Sequence, residues 1–350
     1  MANETQFHLE DAIIPTLFGN NVLNLSTKTN RFVQSGIETP DPALGSQLLL
    51  PGETITLPFT NDLEGNPEAW TDDSDISVSG LTTGVQKAFR MRQAKAFGYT
   101  DIAQLVSVSD PANAIASRFA SWWARVDQRT LLSVLKGVFA NTDIATAKLY
   151  DDSSNEFSAS GFLAAISRLG DLQDQTFNKI AVHSAVYAEM KKQQMIDTVQ
   201  PAGAVTPFGT YNGMTIVVDD DLPLENGVAT SYIFGNGSVG YSVVNPADGV
   251  EIEREARKDG GRTNIINRRV STTHVLGTSV AKDFAPAGQT VIQSELELGT
   301  TWASVVDPRN IKVVAYKAKI DPMFVPAAPA TGSTTGTGST TGSVTTLASK

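Results

Sequence analysis

The stretch that decides the fold is DPANAIASRFASWWARVDQRTLLSVLKGVFAN, residues 110–141. Its apolar side chains recur at close to helical spacing, at Ile115, Phe119, Trp122, Val126, Leu131, Leu135 and Val138. Asp110 suits the N-cap position, Pro111 suits the first helical position, and Gly137 and Asn141 mark a plausible end. The pattern therefore predicts a single helix of about thirty residues, roughly 45 Å long.

Two features of this helix bear on its surroundings. Trp122 and Trp123 are adjacent, so their side chains point about 100° apart. Either both lie in one wide core, or one faces the chain's own core and the other a neighbouring subunit. Arg118, Arg125 and Arg129 lie between the apolar positions and give the helix a basic flank.

The composition limits the class of protein. The chain has 350 residues, of which 41% are hydrophobic and only 18% are charged, below the roughly 25% usual in soluble domains. Its net charge of −10 argues against a nucleic-acid-binding protein. Because cysteine is absent, a disulfide framework, a thiolate nucleophile and a thiolate zinc site are excluded.

The first residues, MANETQFHLEDAIIP, are acidic and lack the basic-then-apolar pattern of a signal peptide. The chain also lacks an apolar run of about eighteen residues, the length that predicts a membrane span. We therefore expect a protein that is made in the cytosol and has no membrane partner.

Residues 47–100 read as a long excursion from a compact fold. Two β-like stretches, Thr54–Phe59 and Val85–Ala94, flank a polar middle rich in Gly, Pro and Asp. Six acids and no base lie between positions 61 and 86: Asp62, Glu64, Glu68, Asp72, Asp73 and Asp75. Four bases and no acid follow: Lys87, Arg90, Arg92 and Lys95. Since long excursions are usually functional or disordered, we predict an extended hairpin with an acidic tip and a basic base.

The motifs of common enzymes and cofactor sites are weak or missing. GNGSVG at 235–240 matches the dinucleotide-binding spacing, but strand-like YSVV follows where a helix is needed, so a turn is expected. The triplet Asp219–Asp221 has the oxygen ligands of a hard cation but lacks a full ligand loop. His8, His183 and His274 stand outside any recognised catalytic motif. The sequence predicts no catalytic, cofactor-binding or metal-binding residue, and no enzyme.

The order of these parts resembles the major capsid proteins of tailed bacteriophages, which have the Hong Kong 97-type fold. The resemblance spans about 50–318 and is carried by five segments: TITLPFTNDLEG, WWARVDQRTLLSVLKGVFAN, IAVHSAVYAEMKKQQMI, FGTYNGMTIVVDDDLP and TWASVVDPRNIKVVAYK. It implies an α+β fold in which the long helix is the strut of a flat, shell-tiling subunit.

The resemblance also implies a division of the chain. Residues 1–46 would be an N-terminal arm, 47–100 an extended β-hairpin loop that lies across a neighbouring subunit, and 101–144 the spine helix of a peripheral domain. Residues 145–245 would be an axial α/β domain at the centre of pentamers and hexamers, and 246–325 the return strands of the peripheral domain with a C-terminal element. Residues 326–350 are expected to be a flexible tail, because 331–343 are all Thr, Gly or Ser.

By resemblance, the function is a self-assembling head protein of an icosahedral shell around packaged double-stranded DNA. It would assemble in the bacterial cytoplasm and reside in the virion. The implied partners are other copies of the chain, a portal, in some members a decoration protein, and DNA contacted without sequence specificity. A separate scaffolding protein is expected because the chain has no room for the scaffolding segment of some members. Covalent crosslinking is not expected, because 61–86 contain no lysine.

The sequence also suggests which residues meet between subunits. We expect the acids of the loop to contact basic and aromatic residues of a neighbour. The predicted contact set is Asp62, Glu64, Asp72, Asp73, Asp75, Arg90, Arg92, Arg118, Trp122, Trp123, Arg125 and Arg129. Two alternatives stay open: the shell of an encapsulin nanocompartment, and a secreted surface-layer or adhesin protein, which the low charge and Thr/Gly/Ser tail favour.

Overall fold

The computed structural model describes residues 30–61, 63, 65–71, 75–102, 111–172, 177–193, 210–211 and 213–325. The first 29 residues of the predicted arm, the predicted tail from 326 onward, and Asp62, Glu64, Asp72, Asp73 and Asp110 lie outside this part.

The described helices are α1 (Arg31–Gln34), α2 (Pro42–Gln47), α3 (Pro111–Ala140), α4 (Thr142–Lys148), α5 (Ala159–Ile166), α6 (Ser184–Lys192) and α7 (Gln293–Leu296). The longer strands are β2 (Thr54–Thr60), β3 (Thr83–Phe89), β4 (Met91–Thr100), β5 (Leu149–Glu156), β6 (Phe177–Val182), β8 (Met214–Val218), β10 (Val228–Gly235), β11 (Val239–Val244), β12 (Val250–Glu255), β13 (Arg262–Val275) and β16 (Val313–Lys319). The short strands are β1 (Glu38–Pro40), β7 (Thr210–Tyr211), β9 (Leu224–Glu225), β14 (Thr278–Val280) and β15 (Trp302–Ser304).

The long helix predicted at 110–141 is present as α3. Asn141 follows this helix and is also the N-cap residue of α4. Its side chain accepts hydrogen bonds from the backbone N–H groups of Asp143 and Ile144, the N-cap arrangement of α4. Its amide nitrogen also donates to the Trp302 carbonyl over 2.8 Å. A single extended residue, Asn141, therefore separates α3 from α4.

A five-stranded sheet is built around the long strand β13. β4 pairs antiparallel along one edge of β13, and β11 and β12 share the opposite edge. β1 pairs with the far side of β11 in parallel. β11 lies within the stretch 145–245 that the sequence analysis groups as one α/β unit, and it pairs in this sheet with β13 and β1. A turn follows β10, as the glycines of GNGSVG predict, and Gly237 lies in it at φ +63°. Through this turn the chain passes from the sheet of β10 to the sheet of β11.

A seven-stranded sheet has the order β5-β16-β10-β6-β8-β7, with β9 paired to β10. Its second strand, β16, comes from the C-terminal element that was grouped with the return strands at 246–325. It lies between β5, which it pairs in parallel, and β10, which it pairs antiparallel. Sequence patterns indicate strands but not their distant partners, so the places of β16 and β11 in the two sheets come from the structure.

The predicted hairpin is β2 paired with β3 through seven residue pairs, from Thr54 with Phe89 to Thr60 with Thr83. The second β-like stretch is not one strand, because Arg90 interrupts it. The Arg90 N–H donates to the Glu53 carbonyl, and the chain then continues as β4 in the five-stranded sheet. The hairpin thus projects from the sheet at Arg90.

The length of α3 follows from what it packs against. Its first half places Phe119 and Trp123 in a cluster with Ile265 of the five-stranded sheet. Its second half places Leu135 in a core that also contains Phe234 of the seven-stranded sheet. The other face of that sheet is covered by α5 and α6 in a separate core. One helix therefore packs on both sheets.

Residues 30–40 form a second connection between the sheets. Phe32 and Ile37 are fully buried in the core shared with α3. Arg31 Nη1 donates to the Val218 carbonyl over 2.9 Å, and Lys179 Nζ donates to the Gly36 carbonyl over 2.7 Å, both contacts on the seven-stranded sheet. β1 belongs to the five-stranded sheet, so this segment straps one sheet to the other.

Gly137 lies inside α3, and its lack of a side chain allows Leu296 and Trp302 to approach the helix closely. A Cβ at this position would lie 1.9 Å from the Leu296 carbonyl oxygen and 2.5 Å from Trp302 Nε1. The Trp302 Nε1–H donates to that same carbonyl over 2.8 Å. The glycine is required by packing rather than by helix termination.

We predict that Gly137→Ala destabilises the subunit by about 1–3 kcal/mol, because overpacking outweighs a helix-propensity gain of about 1 kcal/mol. Urea unfolding of unassembled protein measures this change. Ser121→Ala, at an exposed site of the same helix, is the matched control and should be close to neutral. A Gly137→Ala protein as stable as the control would contradict the packing argument.

Candidate assembly surfaces

The loop that joins β2 to β3, residues 61–82, is called here the hairpin loop. Its described residues have no regular secondary structure, and five large apolar side chains are 61 to 95% exposed: Leu63, Trp70, Ile76, Val78 and Leu81. Isolated apolar residues are normal on surfaces, but five within one loop indicate an interaction site. Sequence reasoning picked out the acids of this loop and missed its apolar residues, although Trp70 stands visibly alone in a polar stretch.

Hydrogen bonds join described residues from the two sides of the hairpin loop. At its base, the Asn61 N–H donates to the Thr82 carbonyl over 2.9 Å, and the two side chains bond at 3.0 Å. Further out, the Glu68 carboxylate accepts hydrogen bonds from the backbone N–H and the hydroxyl of Ser77. These bonds lower the pKa of Glu68, so its carboxylate stays ionised. Asp75, the described member of the predicted acidic contact set, is exposed beside them.

Some residues of the predicted basic set already have partners within the chain, and others have none in its described part. Arg90 is only 3% exposed and donates to the carbonyls of Gln47 and Gly52, so within the subunit it holds the base of the hairpin together. Arg92 pairs with Glu53 of its own chain at 3.0 Å, and Arg129 with Asp221 at 3.5 Å. Both remain about half exposed.

Arg118 and Arg125 lie on the open face of α3. Both are exposed, and neither has an ion pair within 4 Å in the part of the chain that the structure describes. Seven residues apart, they occupy one side of the helix about two turns from each other. They are the free members of the predicted basic set.

The tryptophan pair lies in one aromatic cluster of the chain itself. Trp123 is 2% exposed and stacks on Phe119, and Trp122 is half-buried with its edge toward Phe97. Within the subunit, Trp123 is therefore surrounded by the chain's own core. Trp122 keeps a partly open face.

A buried ion pair fixes this cluster beneath the sheet. Arg269 of β13 donates two hydrogen bonds to the Asp127 carboxylate of α3, one of them over 3.0 Å, and both side chains are at most 4% exposed. The Tyr241 hydroxyl donates to the same carboxylate over 2.9 Å, and Gln93 Oε1 accepts from the Arg269 guanidinium. The guanidinium also lies 3.8 Å from the Trp123 ring, a cation–π contact.

Glu38 of β1 is a second carboxyl group beside this pair. It is fully buried, and its carboxylate accepts a hydrogen bond from the Asn30 amide over 3.1 Å. Burial, and next the charge of Asp127, raise the pKa of Glu38 well above its ordinary value. A second carboxyl group thus lies near the ion pair, and burial disfavours its ionised form.

The described histidines and the Asp triplet have structural contacts. His183 Nδ1 accepts the Ala185 N–H at the start of α6. Burial lowers the pKa of His274 to about 4. Asp219 accepts the Asp221 N–H over 2.9 Å in a turn after β8. Within the described residues, three or more His, Cys, Asp or Glu side chains do not converge as a metal site, and none of the helices is long and apolar enough to cross a membrane.

Comparison with known proteins gives one extensive sequence relative. The chain is 34% identical over 321 residues to the major capsid protein of Bacillus phage SPP1, an alignment that covers 89% of this chain and 98% of the relative. No family model matches the chain.

A solved capsid structure shares the fold at low sequence identity. The capsid asymmetric unit of cyanophage Pam1 aligns with a TM-score of 0.56 and 10% identity over 84% of this chain and 93% of that one. The capsid of cyanophage P-SCSP1u aligns with a TM-score of 0.49 and 10% identity over 77% and 85% of the two chains.

We predict that Arg269→Met lowers the free energy of unfolding by about 3–5 kcal/mol, because it leaves the Asp127 carboxylate buried without its partner. Adding Asp127→Asn should recover part of the loss. The matched control is Arg268→Met, at the preceding position of β13. It removes an exposed pair with Glu251, worth about 0–1 kcal/mol. Equal losses at the two positions in urea unfolding would refute the role of burial.

We predict that Glu38→Gln stabilises the unassembled subunit at mildly alkaline pH. The folded-state pKa of Glu38 lies above its unfolded value, so between the two the folded state holds a proton that the unfolded state has lost. Stability is thus fully present below the ordinary Glu pKa and falls as the pH rises toward the folded-state pKa. Glutamine, which imitates the protonated group, should flatten this fall.

Urea unfolding across acidic to mildly alkaline pH measures the effect of Glu38→Gln. The exposed Glu253→Gln is the control and should follow the wild type. If Glu38→Gln also follows the wild type at every pH, the carboxyl group is ionised in the folded protein and the assignment of its proton is wrong.

Proposed function

The chain belongs to the major capsid proteins of tailed bacteriophages, and we propose that it tiles the phage head as pentamers and hexamers around packaged double-stranded DNA. The alignment with the SPP1 protein carries this conclusion, because it spans nearly the whole relative at 34% identity. The predicted Hong Kong 97-type α+β fold is confirmed. Membership in this family entails a shell made of many copies of the chain.

The proposal assigns parts of the subunit to parts of the shell. The hairpin with its exposed loop reaches over a neighbouring subunit. The long helix α3 is the spine of the peripheral domain, with the five-stranded sheet beside it. The seven-stranded sheet with α5 and α6 is the axial domain that gathers at the centre of each ring. The exposure of Trp70 and Val78 supports the first assignment, since an isolated subunit gains nothing from displaying them.

Further partners follow from the task of a phage head. The shell assembles in the host cytoplasm on a separate scaffolding protein, is interrupted by a portal, contacts DNA without sequence specificity and performs no catalytic step. A decoration protein is a further candidate partner. The encapsulin alternative is the weaker one, because the extensive sequence relative is a phage capsid protein. The same relative argues against the adhesin alternative.

The test is electron microscopy of the chain expressed alone and with the scaffolding protein of its phage. Closed icosahedral particles with pentameric and hexameric rings are expected, with greater yield and uniformity when the scaffold is present. Open filaments or unassembled subunits in both preparations would overturn the proposal. Uniform shells that form equally well without any scaffold would favour the encapsulin alternative.

We predict that reversing Asp72, Asp73 and Asp75 to Lys leaves a folded subunit that assembles poorly. Individual exposed ion pairs contribute only about 0–1 kcal/mol, but the loss is repeated at every subunit contact in a shell. Particle yield by sedimentation and microscopy measures assembly, and thermal unfolding checks the fold.

The matched control for the loop reversal carries the same change in net charge elsewhere. Glu156, Glu253 and Asp283 are exposed acids outside the hairpin loop, and their reversal to Lys should leave particle yield near that of the wild type. If both triple variants assemble normally at physiological salt, the loop is only solvated. If both fail equally, total charge rather than the loop governs assembly.

A further inference from the structure

The open face of α3 carries an excess of positive charge. Between residues 118 and 140, six residues of the helix are exposed: Arg118, Ser121, Arg125, Arg129, Lys136 and Ala140. Four of them are basic and none is acidic, although the whole chain has 37 acids and 27 bases. The single acid in this part of the sequence, Asp127, is buried against Arg269. Bases gathered on one face of an acidic protein favour an acidic ligand.

The four bases, called here the basic stripe, lie on one straight line along the helix. Arg125, Arg129 and Lys136 follow Arg118 by seven, eleven and eighteen residues. At about 100° per residue, all of them point within about 20° of the direction of Arg118. At about 1.5 Å per residue, the basic stripe is about 27 Å long. The cations therefore form a row, which matches a linear polyanion.

Most of the charge of the basic stripe is available to a ligand. Arg118 and Arg125 have no ion pair within 4 Å in the part of the chain that the structure describes. The other two members pair with Asp221 and Glu297 over 3.5 and 3.1 Å, but their side chains stay 59% and 49% exposed. Exposed ion pairs contribute only about 0–1 kcal/mol, so a denser array of anions can replace them.

The surface around the basic stripe does not suit a folded protein partner. The remaining exposed residues between 118 and 140 are Ser121 and Ala140, and no large apolar side chain of this part of α3 is more than partly exposed. Protein interfaces have an apolar core, whereas nucleic-acid interfaces are more polar and much more positively charged. Double-stranded DNA carries one negative charge per about 1.7 Å of its axis. A row of cations without exposed apolar neighbours therefore fits a DNA backbone.

The opposite face of the five-stranded sheet has a different charge. Phe97 packs on α3, so its neighbour Ala96 points to the other side of the sheet, where it is exposed. The pairing with β13 places Glu251 and Glu253 on the same side as Ala96. Glu251 pairs there with Arg268, and Glu253 has no ion pair among the described residues. Acids and bases are thus mixed on the sheet side, whereas α3 exposes bases alone.

We propose that the basic stripe of α3 faces the interior of the shell and contacts the backbone of the packaged double-stranded DNA. This inference rests on the proposed function and adds which face of the subunit is turned toward the DNA. The contact is independent of sequence, since phosphates carry no sequence information. The net charge of −10 makes a free subunit repel DNA, so the contact forms where DNA is concentrated inside a filled head.

Photocrosslinking in filled heads tests the proposal, because the chain has no cysteine of its own. Ser121→Cys lies beside the basic stripe and keeps all four cations, and Ala96→Cys is the matched control on the opposite face. Both residues are small and exposed, so the fold should tolerate either change. An azidophenacyl group is coupled to the cysteine of empty heads, which are then filled with DNA in a packaging extract and irradiated.

We expect the Ser121→Cys subunit to be joined to DNA at several-fold higher yield than the Ala96→Cys subunit. Adding Arg118→Gln and Arg125→Gln to Ser121→Cys should lower this yield several-fold, because the phosphates lose two free cations. Arg257→Gln with Lys282→Gln removes the same charge from exposed sites outside α3 and should leave the yield unchanged. Equal losses from the two glutamine pairs would mean that total charge acts rather than the stripe.

DNA joined to Ala96→Cys and not to Ser121→Cys would turn the subunit over and refute the proposal, while leaving the capsid function intact. Equal yields from the two sites, or DNA on neither, would refute it as well. A second protein joined to Ser121→Cys would make the stripe a protein-binding surface instead.

Should Ser121→Cys prevent assembly, Arg125→Cys against Ala94→Cys gives a second pair on the same two faces, with the same readings. If the double glutamine variant does not assemble, Arg125→Gln alone replaces it and should still lower the yield. Failure of the wild-type chain to form heads would instead refute the proposed function, and this inference with it.

Discussion

The pairing of Arg269 with Asp127 sets the position of the long helix on the sheet. The guanidinium is buried and meets groups from separate elements: Asp127 and Trp123 on α3, Gln93 on β4, and its own strand β13. A rotation of α3 by one residue, about 100°, would carry the carboxylate away and leave two unpaired buried charges. The same register decides that Arg118 and Arg125 face outward.

The helix and the strap at 30–40 make the two sheets parts of one body. Both elements bury side chains in the shared core, where Phe32, Leu135 and Phe234 lie in a single cluster. Among the described elements, the hairpin of β2 and β3 forms a two-stranded ladder separate from the two large sheets.

Local signals made the helix and the hairpin predictable. The 3.6-residue spacing of apolar side chains and Pro111 define α3, and the change from acids to bases marks the hairpin loop and its base. The sheet membership of β11 and β16 was not predictable, because the pairing partners are far apart in sequence. Nor was the role of Arg90, which depends on Gln47 and Gly52 coming close in the fold. The burial of Trp123 required the same long-range information.

The place of β16 between β5 and β10 has a consequence for synthesis. Proteins emerge from the ribosome N-terminus first, so β5 and β10 exist before the strand that joins them. Until Val313–Lys319 have left the ribosome, the seven-stranded sheet is incomplete and its neighbouring strands have unpaired edges. A chain that terminates before Val313 lacks the strand that joins β5 to the rest of the sheet. The topology therefore makes completion of the seven-stranded sheet depend on synthesis through Lys319.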